Sequence, residues 1–331
     1  MLVPARKAIE MGESTILVSL PKEWVKKNGI RKGDDISVEE ISPRKLLVKP
    51  YGGREEAQKQ VVIGYMGGDI DQVANDVTGA YLLGSDLIKV AGARAISRED
   101  RQVIRDTMKR LVGLEILDEE SRSITLQFLL EPTAITPDNI VRRMSGLLDG
   151  MLADAAEALW KRDAKLLGQV NERDDEVDRL YFLLVRATRA AVVRPEVAER
   201  YGLTPVDLLD YRVLASFLES AGDAVSELSL ELREKRVPRQ AAREYVACIR
   251  KMREMNGLAT QGFLSRRAGK PRTINRKMEA LSREVTLQLA SVAKVWGTDG
   301  ADAAAVLAPL ERVSRLLVDV SDLAVITQQA Q

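Results

Sequence analysis

Asn171–Asp178 reads NERDDEVD, and the back two thirds of the chain is organised around it. Asp174 and Asp178 stand four residues apart within a helical pattern. Val177, Leu180, Tyr181, Leu184, Val185 and Ala191 follow, with Thr188 on the same side, at the i, i+3, i+4 spacing of one buried face. A helix here sets Asp174, Asp178, Tyr181 and Val185 along one line, so two carboxylates border the packed stripe. Like charges at that spacing repel by about 0.2–0.5 kcal/mol unless a cation sits between them. A lone pair of this kind usually marks a solvated helix edge.

A second pair changes the weighing. Tyr211–Glu227, YRVLASFLESAGDAVSE, is again helical, with Leu214, Phe217, Leu218, Ala221, Val225 and Leu228 as its inner face. Glu219 and Asp223 border that face four residues apart, beside the small residues Ala215, Ser216, Ser220 and Gly222, which permit close helix approach. Two helices, each with an i, i+4 carboxylate pair, make one all-oxygen site when they pack together. Carboxylate clusters in helical bundles follow this logic, although the Glu-x-x-His ligands of di-iron bundles are absent.

Composition narrows the chemistry. The chain has 331 residues, 45% hydrophobic and 30% charged, and no histidine. Missing histidine removes Ser-His-Asp triads, HExxH zinc sites and kinase HRD loops. The one cysteine, Cys248, falls in an apolar helical pattern and reads as core, so no disulfide or CxxC site can be written within the chain. A metal site built from these residues is carboxylate-rich and suits hard cations such as Mg, Mn, Ca or Fe(III). With no early apolar region and no run of eighteen apolar residues, the expected localisation is cytoplasmic, without membrane insertion.

The net charge of +1 conceals an uneven distribution. Residues 1–54 carry eleven Lys/Arg against seven Asp/Glu, whereas residues 60–131 carry eight against twelve. A basic head on a neutral body is the asymmetry expected where one end meets a polyanion.

Residues 1–50 read as a small β-rich unit: a strand at Ile16-Leu17-Val18, closure at Leu20-Pro21, a short helix over KEWVKKNG ended by Asn28-Gly29, and the turn IRKGD. Pro21 suits the first helical turn. Two further strands, marked by Ile36, Val38, Ile41, Leu46 and Val48, flank Ser42-Pro43. Gly12, Ser14, Leu20-Pro21-Lys22 and Gly29–Asp34 together resemble the swapped-hairpin domain of the AbrB/MazE/SpoVT superfamily over about forty-five residues. The resemblance implies a homodimer with interlocked hairpins that binds double-stranded DNA through basic residues. The candidates are Arg6, Lys7, Lys22, Lys26, Lys27, Arg31 and Lys32. A dimer would present about +8, and phosphate contacts dominate such affinity. The competing reading makes these cations solubilising groups on a dimerisation module.

Pro50-Tyr51-Gly52-Gly53 and REEAQK read as a linker. Residues 60–131 then alternate as a small α/β domain: strand 61–65, helix 69–83, strand 86–91, helix 98–112, and strands 115–117 and 123–129 around DEESR. Gly64, Gly67 and Gly68 before the Asp69 helix form a plain turn with Asp69 as N-cap, because neither P-loop nor dinucleotide spacing is met.

After EPTAITP, ending at Pro137, six helices follow, roughly 138–161, 163–192, 205–235, 239–268, 272–296 and 301–328. Breaks fall at Pro195–Pro205, Pro238, Gly269-Lys270-Pro271 and Gly297–Gly300, and Pro309 either kinks the last helix or marks its start. Leu310-Glu311 echoes Leu218-Glu219, and Glu279-Ala280-Leu281 echoes Asp178-Arg179-Leu180, as in an internal duplication of about 95 residues.

ERDDEVD at Glu172–Asp178, LESAGD at Leu218–Asp223 and LERVSRLLVDVSDLA at Leu310–Ala324 resemble the signatures of the PhoU family, whose fold is two similar three-helix bundles. The resemblance spans about 190 residues and sets bundles at 138–236 and 238–331. It implies metal on the acidic faces, iron or another divalent ion, held here by Asp174, Asp178, Glu219 and Asp223; Zn is not distinguished from Fe, Mn, Mg or Ca. In the second repeat Asn275, Glu279, Glu311 and Arg315 stand opposite these four, so any ion belongs to the first repeat, and Arg315 is expected to form a salt bridge with Glu311.

The expected fold is multidomain and mainly α: a swapped-hairpin head, a small α/β middle and two PhoU-like bundles. Archaeal phosphate-uptake regulators that join an AbrB-type head to PhoU-like bundles are the nearest pattern, which implies a dimeric transcriptional regulator of phosphate uptake. The alternative is a metal-binding adaptor that does not bind DNA and docks on the ATPase of a phosphate ABC transporter. A carboxylate-metal hydrolase fits poorly without histidine or a recognisable pocket, so no enzymatic role is expected. An antitoxin role fits poorly because about 280 residues of foldable chain follow the head.

Overall fold

A computed structural model describes residues 5–12, 15–42, 45–51, 59–130, 136–266, 271–296 and 300–324. Ser14, Pro43, the Gly52-Gly53 linker with most of REEAQK, most of EPTAITP, and the Gly269-Lys270 break lie outside these residues. The chain divides into two compact units, Met1–Gln58 and Lys59–Gln331.

The first unit contains β1 (Ala8–Met11), β2 (Thr15–Val18), α1 (Lys22–Lys27), β3 (Ile36–Ser42) and β4 (Lys45–Pro50). β1 pairs with β2 and β3 with β4, each as a separate antiparallel two-stranded sheet. The sequence reading missed β1, because ARKAIEM has no clean alternation and only its partner Ile16–Val18 makes it a strand. α1 starts after Pro21, which serves as N-cap rather than lying in the first turn. Past Asn28, Gly29 takes φ 67°, the left-handed conformation that ends helices. An isolated two-stranded hairpin is marginal in water, and here Ile9, Met11, Ile16, Leu17 and Val18 are all exposed, Ile16 by 70%.

In the second unit β5 (Gln60–Tyr65), α2 (Ile70–Leu82), β6 (Leu87–Gly92), α3 (Arg98–Lys109), β7 (Leu114–Glu120) and β8 (Ser123–Phe128) form a four-stranded sheet of order β5-β6-β8-β7 with two helices. β5 and β6 are parallel through the α2 crossover and the other pairings are antiparallel. Val73, Val77 and Tyr81 of α2, Ile104 of α3, and Ile88, Val90, Ile124 and Leu126 of the sheet close one core. The Asp69 carboxylate accepts from the Gln72 amide at 3.1 Å, and Gly67 and Gly68 take φ 81° and 100°, so this segment is the capped turn expected.

The remaining helices are α4 (Pro137–Lys161), α5 (Ala164–Val193), α6 (Pro195–Tyr201), α7 (Pro205–Glu234), α8 (Arg239–Ser265), α9 (Pro271–Val295) and α10 (Gly300–Asp322). α4, α5 and α7 make one three-helix bundle, and α8, α9 and α10 the other. Short α6 occupies the break between the prolines at 195 and 205, where sequence periodicity is too brief to register. α10 runs through Pro309 and ends at Asp322. The bundles meet through equivalent helices, α4 on α8 and α7 on α10, and share one hydrophobic core. Buried polar groups fix the α4–α8 seam. Asn256 accepts from the Ser145 hydroxyl at 3.2 Å and donates to the Ser145 carbonyl at 2.9 Å, and Thr260 donates to Ser145 Oγ at 2.9 Å. Nearby, Arg253 grips Asp149 with two hydrogen bonds of 2.8 and 2.7 Å.

The α/β layer is bolted to α5 by Arg186, which is 4% exposed. Its guanidinium donates to the carbonyls of Tyr81 and Ser85 at 2.6 and 3.0 Å and lies 3.7 Å from the Phe128 ring centroid. Those carbonyls close the C-terminal end of α2, where helix carbonyls lack partners and attract cations. Arg186→Met leaves the Ser85 carbonyl without a donor, while the Tyr81 carbonyl keeps the Gly84 amide, so stability in urea should fall by about 1–3 kcal/mol. The α/β layer should then lose amide-exchange protection ahead of the bundles; equal loss in both would show that Arg186 does not couple them.

Candidate functional site

α5 and α7 run antiparallel, and the small residues noted on α7 permit a close approach. A Cβ placed on Gly222 would lie 3.1 Å from Asp174 Oδ1 and 3.4 Å from Val177 Cγ1, so the helices touch where α7 carries no side chain. One turn further along α5, Asp178 meets Glu219 and Asp223 of α7, with one carboxylate oxygen of each within 4.8 Å of the others. Asp178 and Glu219 are half-buried and Asp223 is exposed. The structure thus brings three of the four acids together. Asp174 stands outside the trio, its Oδ1 buried and without a hydrogen-bond partner among the described residues.

Electrostatics record the crowding. Burial pushes the Asp174 carboxyl up to about 6; the Ser226 hydroxyl opposes this, while Asp223, Asp178 and Asp175 reinforce it. Asp178 and Glu219 are also raised, chiefly by desolvation. One cation opposes the cluster: Arg110, just past α3, reaches Asp178 at 3.3 Å and also sits over the Phe182 ring. Sequence reasoning missed Arg110, an ordinary surface arginine in the pattern and 68 residues distant from its partner.

Three converging carboxylates and no imidazole or thiolate form a donor set for a hard cation. The Asp174 oxygen behind them has no hydrogen-bond partner among the described residues, and the Ser226 hydroxyl only partly opposes the burial of that carboxyl. The residues therefore fit an oxygen-ligated metal, with Asp178, Glu219 and Asp223 as holders and Asp174 at their back.

The second repeat is arranged differently. Glu279 pairs with Arg283 at 3.4 Å, and Asn275 accepts from Ser321 at 3.3 Å. The expected Arg315–Glu311 salt bridge does not form. One turn on from Arg315, burial and the Asp322 charge raise the Asp319 carboxyl, and Arg315 opposes that rise. Cys248 is core as expected; burial pushes its thiol up to about 12.

In the first unit Arg6, Lys7, Lys22, Lys26, Lys27, Arg31 and Lys32 are all exposed. The β1–β2 register carries Arg6 and Lys7 alongside Ser19, whose hydroxyl accepts from Arg6 at 3.5 Å, so both stand beside the start of α1. Lys22 and Lys26 share one face of α1, with Lys27 adjacent and Arg31-Lys32 in the following loop.

Comparison with known proteins agrees with this division. Residues 141–232 match the PhoU domain. Residues 12–56 match the family described as antidote-toxin recognition MazE, bacterial antitoxin. Among solved structures, the crystal structure of PhoU from Pseudomonas aeruginosa aligns with 17% identity and a TM-score of 0.45, covering 57% of this chain and 93% of that one. No curated protein matches the chain. Among the described residues no helix is long and apolar enough to cross a membrane.

A carboxyl with a raised folded pKa holds its proton more tightly when folded, so it favours folding at low pH and loses that contribution as pH rises from 3.8 to about 6. Metal-free protein should therefore lose thermal stability between about pH 5 and pH 7.5, and Asp174→Asn should narrow that loss. Asp178 and Glu219 shift in the same direction, so part of the loss persists. Calorimetric melts across this range check it; an unchanged pH difference in the mutant would mean Asp174 is well solvated.

Proposed function

We propose that the chain is a dimeric DNA-binding regulator of phosphate uptake and homeostasis, whose helical body holds a hard metal ion. The observation that carries this reading is the state of the first unit. Its hairpin strands expose Ile9, Met11, Ile16 and Val18, while all seven candidate cations lie at its surface. Two separate hairpins of this size cannot bury those apolar groups alone, and interlocking with a second copy removes them from water. Dimerisation also doubles the cationic surface offered to a duplex. The match to a MazE-type family over residues 12–56 supports the assignment of the head. The PhoU domain match over 141–232 supports a role in phosphate homeostasis for the body. The converging Asp178, Glu219 and Asp223 support metal binding by that same region.

Purified protein should bind duplex fragments from its own upstream region with affinity that falls steeply with salt, since each neutralised phosphate releases counterions. Lys26→Glu with Lys27→Glu should abolish that binding while leaving the dimer intact by light scattering. If the wild type binds duplex no better than a neutral protein, the head is a dimerisation device, and docking on a transporter ATPase becomes the better reading.

Metal binding is tested separately. Asp178→Asn with Glu219→Gln should weaken Mn(II) binding in calorimetry by at least about tenfold, close to 1.4 kcal/mol. The double mutant should melt no lower than wild type in chelator, because the substitutions relieve like-charge repulsion. Unchanged Mn(II) affinity would place the ion elsewhere.

A further inference from the structure

At the end of the first bundle, about 20 Å along α5 from the carboxylate trio at the 1.5 Å rise per residue of a helix, the α4–α5 turn meets the end of α7 around a hollow of about 280 Å³. Leu159, Leu167 and Val237 are buried in its floor. Its rim carries Arg162, Arg233, Lys235 and Arg236 against two acids, Asp163 and Glu234. The Asp163 carboxylate is engaged as the N-cap of α5, accepting from the Lys165 amide at 2.9 Å, and Lys235 is paired with Asp302 at 2.8 Å. Arg162, Arg233 and Arg236 have no hydrogen-bond or ion-pair partner among the described residues. The Arg233 guanidinium lies close over α5, 3.8 Å from where a Cβ on Gly168 would sit.

Backbone geometry singles out the same place. Arg162 has φ 59° and ψ 41°, the one non-glycine residue with positive φ among those described. It closes α4 with a hydrogen bond from its amide to Ala158. Glycine is the residue that fits this position without strain, so the arginine stands here against local conformational preference. The strained position thus lies on the same basic rim as Arg233 and Arg236.

We propose that this hollow binds a small polyanion of the phosphate class. Arg162, Arg233 and Arg236, all solvent-exposed at this rim, each offer paired donors that match phosphate oxygens. The hollow, about 280 Å³ and open to solvent, has room for one or two phosphoryl groups. The inference requires neither DNA contact by the head nor metal at the carboxylate trio, and it is tested without either.

Calorimetric titration of the full chain in chelator, with pyrophosphate, inorganic phosphate and sulfate as separate probes, measures it directly. Wild type is expected to bind pyrophosphate saturably at one site per chain, at least about tenfold tighter than sulfate. Arg233→Ala should weaken pyrophosphate at least tenfold. Arg162→Gly should do the same while melting at or above the wild-type temperature, because glycine relieves the left-handed strain. A protein that gains stability and loses the anion separates binding from folding. Absence of saturable pyrophosphate binding below ~1 mM overturns the proposal, as does wild-type affinity in both variants.

Discussion

The close approach of α5 and α7 at Gly222 is the constraint on which the candidate metal centre depends. Where a side chain would stand, the two backbones come near enough that Asp174 Oδ1 occupies the space. That proximity lets short aspartates reach across one turn further on, so Asp178 joins Glu219 and Asp223 without any loop. It also explains the rise of the Asp174 carboxyl to about 6, since burial rather than like charge is the leading cause. The helices come together through apolar packing, and the carboxylates are carried into proximity by it. Left alone they repel, which is the condition under which a cation binds them well.

The α/β layer belongs to this arrangement more closely than its composition suggests. Arg186 plugs the end of α2 from below, Phe182 packs into the sheet-and-helix core, and Phe128 and Leu130 pack back against the bundle. The same docking delivers Arg110 to Asp178. A segment that reads as a free-standing domain in the sequence therefore supplies a cation that faces the acids. A metal ion arriving at the trio would meet a site already partly neutralised from the neighbouring layer.

Much of this was legible in the sequence, for identifiable reasons. Helices of 23 to 30 residues carry enough repeats of the buried face to be located closely, and α4, α5, α7, α8, α9 and α10 fall near their expected bounds. The carboxylate pairs were visible because i, i+4 spacing in a helix fixes geometry locally. β1 was not visible, because a four-residue strand that is exposed throughout carries no pattern and exists through its partner. α6 was too short to establish a period. Arg110 and the arginine-rimmed hollow depend on contacts between residues far apart in the chain, for which no spacing rule exists. The Arg315–Glu311 pair illustrates the limit of a local rule: the spacing was right, but both side chains are exposed, where an ion pair gains little over solvation.

The seam between the bundles bears on what the second bundle contributes to the first. The second bundle has an amide and an arginine where the first has aspartates, and its remaining acids are turned to ordinary ion pairs or left apart. Yet α8 supplies Asn256, Thr260 and Arg253 to the junction with α4, and α10 completes the core over α7. Deleting the second bundle would open the core that the two share. A bundle without the acid trio can thus be indispensable to its neighbour, which uses it as a wall.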